Sequence, residues 1–480
     1  MAPSPTGEYH VGHIRTVLYN WAFARKNDGK FVIRIEDTDR ERLVPGATER
    51  ILDVIKMYGL DWDEGPEKGG SYGPYIQSER LDLYAKYAQQ LVDQGQAYHC
   101  FCTKERLEDL REGQRAKGTS PKYDKKCLNL PKEEIDEKLS QGVPHVIRLN
   151  VPVDKDITFS DAVYGDITIN SNDVDDQILI KSDGFPTYHM AVIVDDHLME
   201  VTHIMRGMDW IPSTPKHILL YEAFGWELPT YVHLPNIKEL GDSKKLSKRF
   251  GSVYAVDFLK EGYLPEALLN FLMFLGWNPG TEKEIYTLAE FVSDFSLDKL
   301  HKTDLVSFDR KKLLWMNGQY ISNCDTKVLW KKLEKWSSQF DIDLKVGDYS
   351  EKYILQVLGQ VQRRMKLLPD FVDTTTYFFS EPGIQEDLLV KYVAGKEKAG
   401  EILKRFISTW GGVSDWSVEE LEKVSHGVLE KFNYTPKEAF MTVRVAVSGR
   451  KATPPLFDIL VILGKERVLG RLSKASERLG

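Results

Sequence analysis

From Val11 the apolar residues Val11, Ile14, Val17, Leu18, Trp21 and Ala22 recur at steps of three and four, the repeat of one helix face. The pattern stops at Asn27-Asp-Gly29. The continuous apolar run Phe31-Val-Ile-Arg-Ile35 then predicts a buried strand that ends in the carboxylates of Glu36-Asp-Thr-Asp39. Turn, helix, strand and acidic edge together predict an open α/β sheet, in which ligands sit beyond the carboxyl ends of the strands. Ser78-Glu-Arg-Leu81 opens a second helix, with Leu81, Tyr84, Ala85, Ala88 and Leu91 on one face, closing at Gly95.

From about 97 to 180 the texture changes to short strand-like runs, Val146-Ile-Arg-Leu149 and Ile167-Thr-Ile169, around a charged helical piece. This predicts an insertion between two halves of a sheet domain. Ile178-Leu-Ile180 restores the strand pattern, and Ser213-Thr-Pro215 starts a helix through Leu219, Leu220 and Phe224 with proline in its first turn. Beyond about 323 strand signals nearly vanish. Ser417-Val-Glu-Glu420 and Thr435-Pro-Lys-Glu438 each place a carboxylate three residues after a hydroxyl, the capping-box spacing, ahead of apolar periodic runs. The last third therefore reads as a helical module.

Composition narrows the class. At 480 residues the chain exceeds what one core usually serves, so several domains are expected. No apolar run approaches the roughly 18 to 20 residues of a membrane span, and no export signal is expected ahead of a motif that starts at residue 2. The four cysteines, at 100, 102, 127 and 324, make no disulfide framework, which fits a reducing compartment; the cytoplasm is the expected location. A net charge of -8 excludes nucleic-acid binding by bulk charge but not by a local basic face.

Two stretches could carry chemistry. His10-Val-Gly-His13 places two imidazoles on one side of a helix start, with Gly12 leaving the backbone open to close approach. A metal, a macromolecular surface and a polyphosphate compete for it. A metal lacks further ligands of the His-Glu-x-x-His kind nearby, whereas a helix N-terminus with two added donors suits phosphate. The second stretch is the cationic loop Gly241-Asp-Ser-Lys-Lys-Leu-Ser-Lys-Arg-Phe-Gly251. Alone it reads as a solvated charge run; beside a triphosphate, its ammonium groups would follow the charge on a departing polyphosphate.

His10-Val-Gly-His13 resembles the HIGH motif, and Lys245-Leu-Ser-Lys-Arg249 the KMSKS motif, of class I aminoacyl-tRNA synthetases. Ala2-Pro-Ser-Pro-Thr-Gly7 and Arg34-Ile-Glu-Asp-Thr-Asp39 narrow the resemblance to the glutamyl and glutaminyl branch. It extends through Gly73-Pro-Tyr-Ile-Gln-Ser78, Lys181-Ser-Asp-Gly-Phe-Pro-Thr-Tyr188, Val194-Asp-Asp-His197 and Trp315-Met-Asn-Gly318. The helical tail is similar to that of bacterial and organellar glutamyl enzymes rather than to the β-barrels of glutaminyl ones.

The resemblance implies a Rossmann-type parallel-sheet catalytic domain with an inserted α+β connective domain, followed by an all-α anticodon-binding module. The expected segments are 1–95 and 181–244 for the two catalytic halves, 96–180 for the insertion, 245–322 for the KMSKS loop and stem-contact region, and 323–480 for the helical module. It implies ATP-dependent ligation of L-glutamate to tRNA(Glu) through glutamyl-adenylate, with Mg2+ accompanying ATP. By position, His10, His13, Lys245 and Lys248 are the expected catalytic residues. With Gly12, Ser247 and Trp210 they also form the expected ATP site. Trp210 has the competing reading of a core tryptophan.

For glutamate the matching positions are Ser4, Glu36, Tyr188 and Arg206, with Glu36 for the α-ammonium and the guanidinium of Arg206 for the side-chain carboxylate. In the family a second arginine lies just upstream of the Ala-Pro-Ser-Pro segment, where this sequence begins with Met1, and a preceding strand carrying it is expected. Cys100, Cys102 and Cys127 resemble a zinc knuckle of some relatives. Asn129 stands where a histidine would complete it, neither Tyr123 nor His99 matches the pattern, and zinc is not the favoured expectation, so no metal site is assigned.

On the tail, the expected tRNA contacts are Gln362 and Arg364 within Gln362-Arg363-Arg364, together with the basic residues of Ser448-Gly-Arg-Lys451; Gln362 matches the position that reads the first anticodon base or, with a shift of two, Arg364 does. Relatives restricted to glutamate tRNA tend to carry arginine near this step, so charging of tRNA(Gln) as well is an open alternative. A monomer is expected, and no membrane partner. Small-molecule nucleotidyltransferases share the histidine pair but lack the tail, and a non-catalytic relative would be expected to lose the histidines or lysines that this chain keeps.

Overall fold

A computed structural model describes residues 1–242, 246 and 251–480. The chain folds as two compact units, one of Met1–Asp257 with Leu268–Arg310 and one of Phe258–Ala267 with Lys311–Gly480.

The first unit runs through α1 (Val11–Lys26), α2 (Ala47–Met57), α3 (Leu81–Asp93), β1 (Ala97–Cys100), α4 (Lys104–Ala116), α5 (Lys132–Ser140) and β2 (Val146–Leu149). It continues with β3 (Asp156–Asp161), β4 (Gly165–Asn170), β5 (Ile178–Ile180), α6 (Tyr188–Leu198), β6 (His203–Gly207), α7 (Thr214–Phe224), β7 (Thr230–Leu234), β8 (Asn236–Glu239) and β9 (Leu305–Phe308). Helix α1 forms where the pattern predicts it, burying Val11, Ile14, Val17, Leu18 and Ala22 completely. At about 1.5 to 3 kcal/mol for each large aliphatic side chain, that stripe fixes the helix against the sheet layer. Trp21 sits at the edge of the stripe, its indole N–H donating to Asp61 at 3.2 Å.

Residues 31–35 depart from the predicted strand. They are extended, but only Val32 and Ile35 make isolated parallel bridges, to Glu64 and Ile76. Their backbone bonds alternate sides: Ile33 N–H and Ile35 N–H donate to Glu64 O and Tyr75 O, while Arg34 N–H and Glu36 N–H donate to Met1 O and Pro3 O. Both neighbouring stretches are irregular, so no regular ladder forms, although Glu36 still ends at the carboxyl edge.

Three sheets form. One is antiparallel in the order β1-β2-β5, one is β4-β3-β7-β6, and one pairs β8 with β9 in parallel. In the second, β6 and β7 run parallel, and the β3–β4 hairpin joins β7 in parallel through Asp161 opposite Tyr231. The hairpin lies within the span whose texture predicts an insertion, yet it edges the sheet that carries Arg206. Such long-range parallel pairing has no local signature in a sequence.

The second unit is helical, and among the described residues no strand follows Phe308. Its larger core gathers Phe406, Trp410, Val443, Leu460 and Leu472 from four helices. Thr435 and Glu438 form the reciprocal capping box; Ser417 caps its helix through Glu420 N–H alone. Among the described residues no helix is long and apolar enough to cross a membrane.

Candidate active site

A cleft of about 1380 Å³ in the first unit is lined by Ser4, His13, Glu36, Tyr188, Arg206 and Trp210 among others. Residues far apart in the sequence thus share one wall. Lys245, Ser247 and Lys248 lie outside the described residues.

His10 is the N-cap of α1, and its Nδ1 accepts from Gly12 N–H at 3.0 Å. The proton must then sit on Nε2, which is left as a donor. Burial and the neighbouring His13 push His10 down to about 4, and burial also lowers His13, so both rings are neutral near pH 7. The two ring centres are 6.2 Å apart. A Cβ added at Gly12 would come within 3.3 Å of His10 Nδ1, so the glycine protects the cap as well as the approach.

Glu36 is only 6% exposed and accepts from Arg34 at 3.0 Å. Arg34 also donates to Asp196 at 2.8 Å and lies 3.5 Å from Asp195, which takes Arg80 at 2.7 Å, Gln77 and Tyr84. Two guanidinium groups therefore face three carboxylates. Burial raises Glu36 to about 7 even though Arg34 opposes the shift, the electrostatic mark of a buried acid lacking a full counter-charge. An ammonium group would supply it.

Arg206, on β6, is 9% exposed and differently held. Its Nε donates to His233 Nε2 at 3.1 Å, one terminal nitrogen meets His217 Nδ1 at 3.2 Å, and the other donates to Thr214 Oγ1 at 2.9 Å. Tyr188 packs against Trp210 at a tilt of 35° with ring centres 4.6 Å apart, and Arg206 lies 5.8 Å from the indole. Trp210 is 37% exposed, which removes the core-tryptophan reading. Ser4 is exposed on the same cleft.

Of the partners of Arg34, Glu36 has its expected place at the glutamate site, while Asp195 and Asp196 fall within a segment quoted for the family resemblance that assigned them no role. Those of Arg206 are Thr214, His217 and His233, backed by His189 and Asp161, with no spacing that marks them as a group.

The cysteine cluster is tighter than its sequence pattern implies. The sulfur atoms of Cys100, Cys102 and Cys127 lie within 4.8 Å of one another. Tyr123 Oη is 3.2 Å from Cys100 Sγ and 3.3 Å from Cys102 Sγ, and accepts from Cys127 N–H. Zinc–thiolate bonds of about 2.3 Å place tetrahedral sulfurs roughly 3.8 Å apart, so the donor set fits that ion with Tyr123 on the fourth side.

On the helical unit, Gln362 is 5% exposed and its amide is committed internally: Nε2 donates to Ile321 O and Cys324 O, and Oε1 accepts from Thr326. Arg364 is exposed and donates to Thr453 O at 2.6 Å. Arg444 binds Thr453 Oγ1 and Pro454 O, and Arg450 donates to Thr376. These three arginines form a cationic patch.

A sheet-borne cleft lined by His13, the second histidine of a pair at a helix start, and a helical unit later in the chain are the features of a class I tRNA synthetase. The family described as tRNA synthetases class I (E and Q), catalytic domain, matches residues 1–315, and the anticodon binding domain family matches residues 328–476. A glutamate–tRNA ligase of Alkaliphilus metalliredigens is 42% identical over 490 aligned positions, covering 100% of this chain and 98% of the relative. One of Fusobacterium nucleatum is also 42% identical, covering 98% and 96%. The crystal structure of a glutamate tRNA ligase from Elizabethkingia meningosepticum in complex with its amino acid superposes with a TM-score of 0.91 at 34% identity, covering 100% and 99% of the two chains. The chain belongs to the glutamate–tRNA ligase family of class I tRNA synthetases.

Proposed function

We propose that this chain joins L-glutamate to tRNA(Glu) in two steps at the cleft. A carboxylate oxygen of glutamate attacks the α-phosphorus of ATP, supplied with Mg2+, and pyrophosphate leaves. A ribose hydroxyl of the terminal adenosine of tRNA then attacks the acyl carbon, releasing AMP. The observation that carries the reading is one cleft with a surplus carboxylate, Glu36, and a guanidinium without a carboxylate partner, Arg206, the complement of a zwitterion with a second acid. His10 and His13 offer neutral N–H donors to phosphate, Trp210 and Tyr188 a surface for the base and the amino acid, and Ser4 a hydroxyl at the rim. Lys245, Ser247 and Lys248 follow the departing pyrophosphate. Positioning and charge stabilisation dominate such a transfer, so no protein nucleophile is required.

The division of labour follows the segments 1–95 and 181–244 for activation, 96–180 for the acceptor end, 245–322 for the loop and stem, and 323–480 for the anticodon. Arg364, with Arg444 and Arg450, meets the anticodon arm. The enzyme acts as a cytoplasmic monomer. Glutamate-dependent exchange of pyrophosphate into ATP, run with and without tRNA, tests the activity. Exchange that needs glutamate, in either condition, supports it; none with tRNA present overturns it.

A second reading has its own observation. Gln362 cannot turn to a base without breaking its bonds to Ile321 O and Cys324 O, so with Gln362 rather than Arg364 at the discriminating position that position holds no base reader. On this reading the chain also glutamylates tRNA(Gln), and purified tRNA(Gln) left uncharged overturns it. The thiol cluster, Cys100, Cys102 and Cys127 with Tyr123, holds zinc as a structural ion. One equivalent of zinc, lost in Cys127→Ser, is the expected result; a metal-free folded chain contradicts it.

A further inference from the structure

Arg206 is a buried guanidinium whose hydrogen-bond partners among the described residues are neutral: two imidazoles and a hydroxyl. Among the described residues it makes no ion pair. A guanidinium only donates, so each imidazole nitrogen facing it must present a lone pair, and this fixes the tautomers of His233, His217 and His189 in turn. His233 accepts on Nε2 and therefore carries its proton on Nδ1, which donates to Asp161 Oδ2 at 2.7 Å. Asp161 also takes the backbone N–H groups of Val163, Tyr164 and His233, all donors, so it is a carboxylate; burial raises it but those bonds more than reverse the shift. His217 accepts on Nδ1 and donates from Nε2 to His189 Nδ1 at 2.9 Å.

Protonating His189 on Nδ1 would set two N–H groups against each other across that contact. Burial keeps His189 down at about 4 and His217 well below its ordinary value. The acid of the network, Asp161, is held one ring away from Arg206. The guanidinium is thus aimed by three bonds while none of those partners neutralises it.

We infer that His217 and His233, backed by His189 and Asp161, are positioning residues that orient Arg206 through neutral acceptors so that its charge is left for a carboxylate of the bound amino acid. The inference rests on the proposed role of Arg206 in glutamate binding. It differs from ordinary satisfied core histidines in one respect: a carboxylate placed at either acceptor position would fit the fold but defeat the function.

The test uses the full chain and isosteric pairs. His217→Asn keeps an acceptor oxygen for Arg206 and an amide donor, whereas His217→Asp keeps the acceptor, adds the charge and leaves His189 to carry its proton on Nδ1. With tRNA present, pyrophosphate exchange is expected to show KM for glutamate raised roughly 10- to 100-fold in His217→Asp relative to His217→Asn, with kcat and KM for ATP within a few-fold. His233→Gln against His233→Glu repeats the comparison from the Nε side, and serves if thermal melting shows the first acid variant unfolded. Equal glutamate KM within a folded pair overturns the inference. Arg206→Gln separates the underlying reading: if it leaves glutamate KM unchanged, Arg206 binds no substrate carboxylate, whereas a raised KM there with no difference within the pairs sinks the histidine role alone.

Discussion

Arg34 and Arg206 are both buried, at 4% and 9% exposure, within one cleft, and they are held in opposite ways. Arg34 is surrounded by Glu36, Asp195 and Asp196, so acid is in excess and the free end of Glu36 seeks a cation. Arg206 sits among imidazoles and a hydroxyl, so its own charge seeks an anion. A buried ion costs several kcal/mol unless it is matched. Each end of the cleft is incomplete in the sense that the opposite end of an acidic amino acid would complete.

The largest expected effect breaks the first end. Glu36→Gln keeps the acceptor for Arg34 but removes the charge for the ammonium, and should lower kcat/KM for glutamate by about 3 to 4 kcal/mol, roughly 100- to 1000-fold. Its melting temperature should be unchanged or higher, because the fold no longer buries a reluctant carboxylate. A loss below threefold in pyrophosphate exchange would remove Glu36 from the site. Next, Arg206→Lys keeps the charge but loses the fork and the imidazole bonds, and should raise glutamate KM roughly 10- to 100-fold while leaving that for ATP nearly constant; a shift of ATP KM instead would reassign the residue.

A pH profile sharpens the comparison. Glu36 is raised to about 7, so it is protonated below that value and an ammonium loses its partner as pH falls. Glutamate KM should climb by up to about tenfold per unit below pH 7 and flatten above it. The other end should be silent between pH 6 and 8, since His189 titrates at about 4. Arg206→Lys should therefore keep the slope and Glu36→Gln lose it; the reverse assignment would contradict the contrast. The smallest effect belongs to Gly12→Ala, whose Cβ would stand 3.3 Å from His10 Nδ1 and 3.5 Å from Ile237. A few-fold rise in KM for ATP is expected, with about 1 kcal/mol or less lost in stability; a change in glutamate KM alone would argue against His10 as a phosphate donor.

The first end was largely legible in the sequence, because Glu36 closes an apolar run and α1 carries an unbroken helical repeat. Even there, residues 31–35 made isolated bridges instead of a ladder, since their neighbours are irregular. The second end was only half legible. Arg206 belongs to a motif, but its acceptors arrive from α7 and β7 and their own partners from α6 and the β3–β4 hairpin, and only folding brings them together. Gln362 and Arg364 differ by two positions in one short turn, and only burial distinguishes the inward amide from the exposed cation. Tyr123 matches no interval of the thiol pattern along the chain, yet its ring reaches the sulfurs in space.

The most direct measurement is a crystal structure of this chain with L-glutamate bound. It should place the α-ammonium about 3 Å from Glu36 and a carboxylate against Arg206, with the bonds from Arg206 to His217 and His233 still in place. Glutamate bound elsewhere, or bound there with Arg206 turned away from the ligand, would contradict the account.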